Sequence, residues 1–270
     1  MRVVTWNLWW RFGPWEARQA AIAQSLVAMN PDIVCLQEVW ADENATDQAH
    51  ILAGALGGFY VARTPQRFFE GVSFGNAILS RWPILGTEVL DLAPIRDGWG
   101  HRKVLHALVD APHANVPVFC THLAYRFDES ALRQEQVTAV LKFIDRHRGD
   151  HETGHPPVLG ADLNAVPTSD EIRLFTGESP APVPGLVMVD AWPQRGDGPG
   201  VTWTRDNPHS ADASWPERRI DYVMTGWPRP KPLGNVIACH LAGIEPIDGV
   251  QPSDHYALVV DLHEGPIQAG

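Results

Sequence analysis

The order of its apolar runs constrains this chain more than any other feature. RVVTWN is strand-like, and Pro14 to Met29 carries Ala21, Ile22, Leu26 and Met29 at helical spacing. Pro14 suits the first helical turn, and Asn30-Pro31 breaks the helix ahead of PDIVCLQEV, which reads as a buried strand. A second helix is expected from Ala45 to Leu56, closed by Gly57-Gly58. From Phe59 the pattern changes to FYVAR, GNAILSRWPI, VLDLA, KVLHALVDA and VPVFCTHL, the signature of a β-meander. A helix from Ser130 to Arg146 then precedes the strand PPVLGADLN. Thr176 to Asp197, rich in proline and glycine, reads as a long loop. VTWT, RRIDYVMTG, NVIACHLA and HYALVVDL read as the closing strands. Helix-linked strands first and antiparallel runs later predict the α/β class, with mixed sheets, helices packed outside, and one domain over 1–270.

Composition narrows the classes. No apolar run approaches the roughly 20 residues that span a bilayer, and the N-terminus lacks a basic segment leading into an apolar one. A cytoplasmic protein is the expectation. Cys35, Cys120 and Cys239 each lie inside an apolar, β-branched run and read as small buried hydrophobes, not a disulfide framework. The net charge of −11 argues against a duplex-DNA binder, whose phosphates call for a basic face. A nest of metal-binding acids would also make a chain acidic. Oligomeric state is not legible.

The polar residues that matter sit where the apolar runs stop or start. Asn7 ends the first strand, Glu38 ends DIVCLQE, His122 ends VPVFCTH, and Asp162 and Asn164 end PPVLGADLN. Their i, i+2 spacing puts Asp162 and Asn164 on one side of an extended chain. Asp221 and the pair Asp254-His255 instead precede or begin their runs. In an antiparallel pair the start of one strand lies beside the end of its neighbour, so opposed strands would gather these groups at one sheet edge. Singly, each is explained as a solvated strand end or a turn former; jointly they point to a site. Several carboxylates do not crowd a partly buried site without a cation. Oxygens from Asp, Glu and Asn suit a hard divalent ion, Mg²⁺ or Mn²⁺, with Ca²⁺ a further candidate.

TWNL, DIVCLQEV, GNAILSR, THL, GADLN, RRIDYV and PSDH, in this order from Thr5 to His255, resemble the endonuclease/exonuclease/phosphatase superfamily. That group includes DNase I-like nucleases, neutral sphingomyelinases, inositol polyphosphate phosphatases and deadenylases. The resemblance implies a four-layer α/β sandwich, two mixed β-sheets packed face to face with helices outside. It implies Glu38 as principal metal ligand, with Asn7 beside it and Asp254 near the same ion. Asp162 would orient or deprotonate the attacking water, and Asn164 would hold a phosphate oxygen. His255, hydrogen-bonded to Asp221, would contact the scissile phosphate or assist proton transfer, and His122 would be a second phosphate-side histidine. Asn76, in GNAILS, matches a polar position near the site. The tyrosine motif of the apurinic-site endonucleases has no counterpart here, and THL matches the branch that uses a histidine.

The residue types fit this chemistry on their own terms. Displacement at phosphorus needs an activated water, charge stabilisation on the phosphoryl oxygens and help for the leaving group, which a divalent ion, a carboxylate and an Asp-tuned histidine supply. The substrate is less legible. Arg63, Arg67, Arg102, Arg126 and Arg133 are scattered. Arg102 and Arg126, near strand ends or loops, are candidates for binding an anionic substrate, while Arg133 on a helix suits a surface or ion-pair role. His147, His151 and His155 read as part of a loop connector, not a metal site. Stretches 176–200 and 207–217 are candidate specificity loops.

The leading expectation is a metal-dependent phosphoric ester hydrolase, a phosphodiesterase or phosphatase, acting on a small-molecule or lipid-like ester. A nuclease is the second. A non-catalytic binding module on the same scaffold is the third, and it predicts losses among the acids, amides and histidines that this sequence does not show. Within the first strand, Trp6 and Leu8 alternate with Asn7 and belong to the core face. Trp9 and Trp10 lie past its end, where two roles stay open: capping the core, or lining a cleft in which an indole stacks on an aromatic or sugar group. Trp9 is accordingly a candidate substrate residue.

Overall fold

β1 (Arg2–Asn7) and β2 (Ile33–Asp42) are parallel neighbours, aligned from Val3 opposite Ile33 to Asn7 opposite Gln37, with α1 (Trp15–Met29) connecting them. The computed structural model describes residues 1–44, 46–65, 68–96, 101–150, 152–227 and 229–265, so Ala45, Arg67 and His151 lie outside the described residues. The next elements are α2 (Gln48–Ala55), β3 (Tyr60–Arg63), β4 (Phe68–Phe69), β5 (Val72–Ser80), β6 (Ile84–Asp91), β7 (Lys103–Asp110) and β8 (Asn115–His122). α3 (Ser130–His147) links β8 to its parallel neighbour β9 (Val158–Asp162), and α4 (Asp170–Thr176), β10 (Val187–Asp190) and α5 (Trp192–Arg195) follow. β11 (Asp221–Trp227), β12 (Val236–Ala242) and β13 (Ala257–Leu262) complete the sheets.

Among the described residues there are two sheets. The first has seven strands in the order β12-β13-β1-β2-β5-β3, with β4 also on β5, and the second has six in the order β10-β11-β9-β8-β7-β6. Each is mixed because one parallel pair, β1–β2 or β8–β9, sits inside an otherwise antiparallel set.

Alternation along the central strands explains the layering. Val3, Ile33, Cys35 and Ile78 of the first sheet meet Val118, Cys120, Val158 and Val223 of the second in a middle core. The intervening residues Val4, Trp6, Val34 and Leu36 face Ile22, Leu26 and Leu52 of α1 and α2. On the other side Phe119, Leu159 and Tyr222 face Val140, Leu141, Ile172 and Phe175 of α3 and α4. Strands covered on both faces read as continuous apolar runs, and each large side chain so buried stabilises the fold by about 1.5–3 kcal/mol. The result is a four-layer α/β sandwich. The sheets approach closely at Gly160 in β9, where a Cβ would lie 2.5 Å from Cys35 Cβ and 3.3 Å from Thr5 Cβ, so a side chain there would drive them apart.

Several expectations are corrected. Thr176 to Asp197 is not one long loop: it holds β10 and α5, and α4 closes at its start. β10 is an edge strand of four residues, and α5 is a single turn held by Trp192 Nε1 donating to Gly198 O (3.0 Å) and Trp192 N to Asp190 Oδ1 (3.1 Å). Such short pieces are set by tertiary contacts and carry no periodicity. VTWT is not a strand; Trp203 makes only an isolated bridge to Arg218. His147 ends α3 and stacks on His106 (4.6 Å) instead of lying in a connector. The three cysteines are free and buried, and Trp6 is fully buried in the core against α1. Among the described residues no helix is long and apolar enough to cross a membrane.

Candidate active site

The C-terminal ends of the two parallel pairs meet across the sandwich. Asn7 closes β1, and its Nδ2 donates both to Glu38 Oε1 (3.2 Å) on its own sheet and to Asp162 Oδ2 (2.9 Å) on the other. Glu38 reaches this position because the β2–β5 register shifts between Leu36 and Val39, with Glu38 itself at φ 54°. A bulge of this kind re-aims one side chain, and a positive φ on a residue other than glycine is uncommon.

On the second sheet, His122, Asp162 and Asp221 stand side by side, with Asp162 opposite His122 in β8 and opposite Asp221 in β11. Asp162 Oδ1 accepts from Asn164 N (2.9 Å), which curls the chain so that Asn164 sits at φ 50° and donates its amide to Leu123 O (3.3 Å). β13 runs antiparallel to β1, so the segment leading into it lies beside Asn7. There Ser253 Oγ donates to Asn7 O (2.7 Å) and accepts from His255 N (3.2 Å), while the Trp6 indole donates to His255 O (2.9 Å). His255 Nδ1 meets Asp221 Oδ2 at 2.9 Å, and its Nε2 faces Asp162 Oδ2 at 4.0 Å.

The two histidines are held in opposite protonation states. Burial opposes charge on His255, but Asp221, Asp254 and Asp162 outweigh it and hold the pKa up at about 10, an imidazolium at neutral pH. Burial and the neighbouring Arg102 push His122 down to about 3, so it is neutral. Arg102 Nη1 lies 3.1 Å from His122 Nδ1, which assigns that nitrogen as acceptor and puts the proton on Nε2, 3.4 Å from Asp162 Oδ2. Glu38 is pushed up to about 7 by burial and by Asp254, against Arg102 and Asn7, and burial also raises Asp254.

Those two carboxylates could hold a cation. Glu38 Oε2 is buried with no hydrogen-bond partner among the described residues. An oxygen-only set of Glu38, Asp254 and Asn7 fits a hard divalent ion. Asp162, Asp221 and His255 also bring one ligand atom each within 4.8 Å of one another. In that group, however, His255 Nδ1 is committed to Asp221 and the imidazolium is itself the cation.

These groups line one cavity of about 500 Å³, together with Arg102, Asn164, Trp9, Phe12, Phe74, Tyr125, Trp203, Trp215, Arg218 and Ile220. Asp221 stands behind His255. Asn76 and Arg126 do not line the cavity: the Asn76 amide donates to Lys103 O (3.1 Å), and the Arg126 guanidinium lies over Tyr125. Arg133 forms a buried ion pair with Glu171 (2.8 Å), and Arg63 pairs with Asp47. The two tryptophans divide: Trp9 lines the cavity with its ring 4.6 Å from His209, whereas Trp10 donates to Ser73 O (2.8 Å) and packs on Phe74.

Sequence reasoning passes over Arg18. It is fully buried in α1 and donates to the carbonyls of Leu8, Trp9, Trp10, Phe12 and Pro252 at 2.8–3.0 Å. The chain after β1, with Trp9 at φ 56° and Trp10 at φ 35°, is thereby wrapped around one guanidinium that also holds the segment before Asp254. Trp203 and the cavity-lining Arg218 also escape a reading of the sequence, whereas Trp215 lies in the 207–217 stretch read as a candidate specificity loop. The RR ahead of IDY is the available signal for Arg218.

A model of the Endonuclease/Exonuclease/phosphatase family matches residues 4–255. Among solved structures, an endonuclease/exonuclease/phosphatase from Beutenbergia cavernae is 29% identical, with a TM-score of 0.73 over 98% of this chain and 72% of that one. D. rerio TDP2, solved with a single-strand DNA product, is 19% identical, with a TM-score of 0.77 over 97% of this chain and 98% of that one. An endonuclease/exonuclease/phosphatase from Bacteroides vulgatus is also 19% identical, with a TM-score of 0.74 over the same shares. No curated protein matches the sequence.

Proposed function

The chain belongs to the endonuclease/exonuclease/phosphatase family, and from that membership and the cavity we propose that it is a divalent-metal-dependent hydrolase of phosphate esters, acting in the cytoplasm on a small-molecule or lipid-like ester. The observation that carries this reading is the convergence on one cavity of the unpartnered Glu38 oxygen and the His255–Asp221 pair, with Asp162 between them. Glu38, Asn7 and Asp254 would hold Mg²⁺, with Mn²⁺ or Ca²⁺ as alternatives. When bound, the ion would supply positive charge for the phosphoryl oxygens.

The chain's own groups supply the rest. Asp162, held by Asn7 and the Asn164 N–H, orients the attacking water and takes its proton. The neutral His122 presents Nε2–H to a phosphoryl oxygen, and Asn164 holds another. The His255 imidazolium, fixed by Asp221, steadies the developing charge and protonates the leaving group. Arg102 keeps His122 in its acceptor tautomer at Nδ1. Trp9 forms part of the wall on which the ester's organic portion rests. Asn76, behind this wall, positions the Lys103 backbone beside Arg102.

Hydrolysis of bis(p-nitrophenyl) phosphate and of p-nitrophenyl phosphate, with Mg²⁺ and Mn²⁺, tests this reading and separates diesterase from monoesterase. Chelator is expected to abolish turnover, and Asp162→Ala or His255→Ala to lower kcat by about 10³-fold or more with the circular dichroism spectrum retained. Unchanged turnover in folded variants would overturn the assignment. A nuclease is the second reading, favoured by the single-strand DNA product held by D. rerio TDP2. It predicts cleavage of single strands with steep salt dependence, which a net charge of −11 opposes.

A further inference from the structure

We propose that Arg218 forms a second anion-binding subsite in this cavity, selecting phosphate esters that carry a further phosphate group besides the scissile one. The proposal rests on the hydrolase reading for what the cavity does, but not for whether the subsite binds. Arg218 and Arg219 are neighbours with opposite surroundings. Arg219 makes a two-pronged pair with Asp190, Nη1 to Oδ1 at 3.1 Å and Nη2 to Oδ2 at 2.7 Å. Arg218 is equally buried, 7% exposed, and lines the cavity, yet its guanidinium has no hydrogen-bond or ion-pair partner among the described residues, and its buried Nε is left unpaired.

What holds Arg218 is aromatic. Its guanidinium carbon lies 4.5 Å from the Phe127 ring centroid, 5.6 Å from Trp203 and 5.7 Å from Trp215. Phe127 and Trp215 brace each other edge to face at 5.1 Å. Below the side chain, the backbone is locked by Trp203 N to Arg218 O (3.0 Å) and Arg218 N to Trp203 O (2.9 Å). Cation–π contact satisfies the face of a guanidinium and leaves its N–H edge free, in the planar fork that matches two phosphate oxygens. A buried guanidinium whose Nε has no acceptor is costly and needs a reason. An incoming anion is the partner that this geometry lacks. Burial lowers the Arg218 pKa, and of the charges that act on it through space Asp162 and Asp221 oppose that shift while Arg133 adds to it, which places Arg218 in the field of the proposed catalytic acids. The scissile phosphate and the second anion would therefore be bound within one cavity. Phe127 and Trp215 are 48% and 41% exposed, so this part of the aromatic wall is open to solvent.

The test compares matched ligands that differ by one phosphate, by calorimetry on the full chain without divalent ion. One arm uses thymidine 3′,5′-bisphosphate against thymidine 5′-monophosphate. The other uses inositol 1,4-bisphosphate against inositol 1-phosphate, to distinguish a nucleotide from a polyol headgroup as the carrier. At least about a tenfold preference for the doubly phosphorylated ligand is expected in one arm, the order of a charge-assisted bidentate contact. Arg218→Met is expected to bring that ratio to about one, and Arg218→Lys to keep part of it. Absence of preference in both arms overturns the proposal, as does a preference that survives Arg218→Met. A mere structural role would weaken both ligands of a pair equally and leave the ratio unchanged. Because binding is read without turnover, a protein that hydrolyses no ester but shows this preference loses the catalytic reading alone, and an active hydrolase without it loses the subsite alone.

Discussion

The two ends of the sandwich treat their acids in opposite ways. At the end where β1 and β2 start, Arg2 grips both oxygens of Asp261 at 2.8 and 3.0 Å, and Asp32 accepts from Arg2 N (2.7 Å) and Arg81 Nε (2.8 Å). The Arg2 hydrogen bond lowers the Asp261 pKa. At the cavity end Glu38 and Asp254 are raised, and Glu38 Oε2 and Asp221 Oδ1 have no partner among the described residues. His155, near the start of β9, is pushed down to about 4 by burial and is neutral like His122 of the cavity, whereas His255 carries a proton. One end is balanced by the chain's own arginines. The other keeps carboxylates that its own Arg102 and His255 only partly offset, so disturbing the first end should alter stability alone, and disturbing the second should alter what binds as well.

The largest effect on folding should come from the group that builds the cavity end. Arg18→Met strips donors from five carbonyls at once and is expected to cost about 3 kcal/mol or more in urea unfolding. A cost below about 1 kcal/mol would mean that the loop after β1 holds itself. Glu38→Gln should act in the reverse direction: without divalent ions it is expected to stabilise the fold by about 1 kcal/mol, by removing a buried carboxylate whose Oε2 has no hydrogen-bond partner among the described residues. It should also erase the rise in Tm that Mg²⁺ or Mn²⁺ gives the unaltered protein, the linkage expected of a ligand bound only by the native state.

The balanced end yields smaller, pH-dependent changes. The folded pKa of His155 lies below its unfolded value of about 6.5, so its stability contribution is complete above that pH and is lost as pH falls toward about 4. The expected slope from this group is at most about 1.4 kcal/mol per pH unit, and His155→Leu should flatten the urea midpoint over that window. Smallest of all, Arg2→Ala should cost under about 1 kcal/mol, because the pair with Asp261 is partly exposed, and should leave phosphate-ester turnover unchanged.

How legible this division is depends on how each residue is encoded. Asn7, Glu38, His122, Asp162 and Asp221 can be found because each interrupts an apolar run at a strand end, and strand pairing then brings such ends together. Arg18 is invisible by the same test. Among Glu16, Gln19 and Gln24 of α1 it looks like one more solvated polar residue, and only the distant carbonyls of Leu8 and Pro252 make it part of the core.

Apart from the stretch 207–217 that holds Trp215, the aromatic wall escapes for a related reason. Phe127, Trp203, Trp215 and Arg218 lie in irregular chain or a single short turn, where no period marks a shared face, and their meeting depends on the bridge between Trp203 and Arg218. β10 and α5 read as loop because four residues of strand at a sheet edge, followed by one helical turn, are too short to show a pattern. Strand ends are readable from sequence, whereas contacts between loops are not.

Gly160 gives the geometry of the site its gauge. It lies two residues before Asp162 and packs against Thr5 and Cys35, which precede Asn7 and Gln37 by the same interval. The 2.9 Å bond between Asn7 and Asp162 spans the sheets immediately above this contact. A methyl group at position 160 would act as a shim, levering that bond open without touching any group that reacts. The spacing between Asn7 and Asp162 is thus set from beneath, by a side chain that is missing.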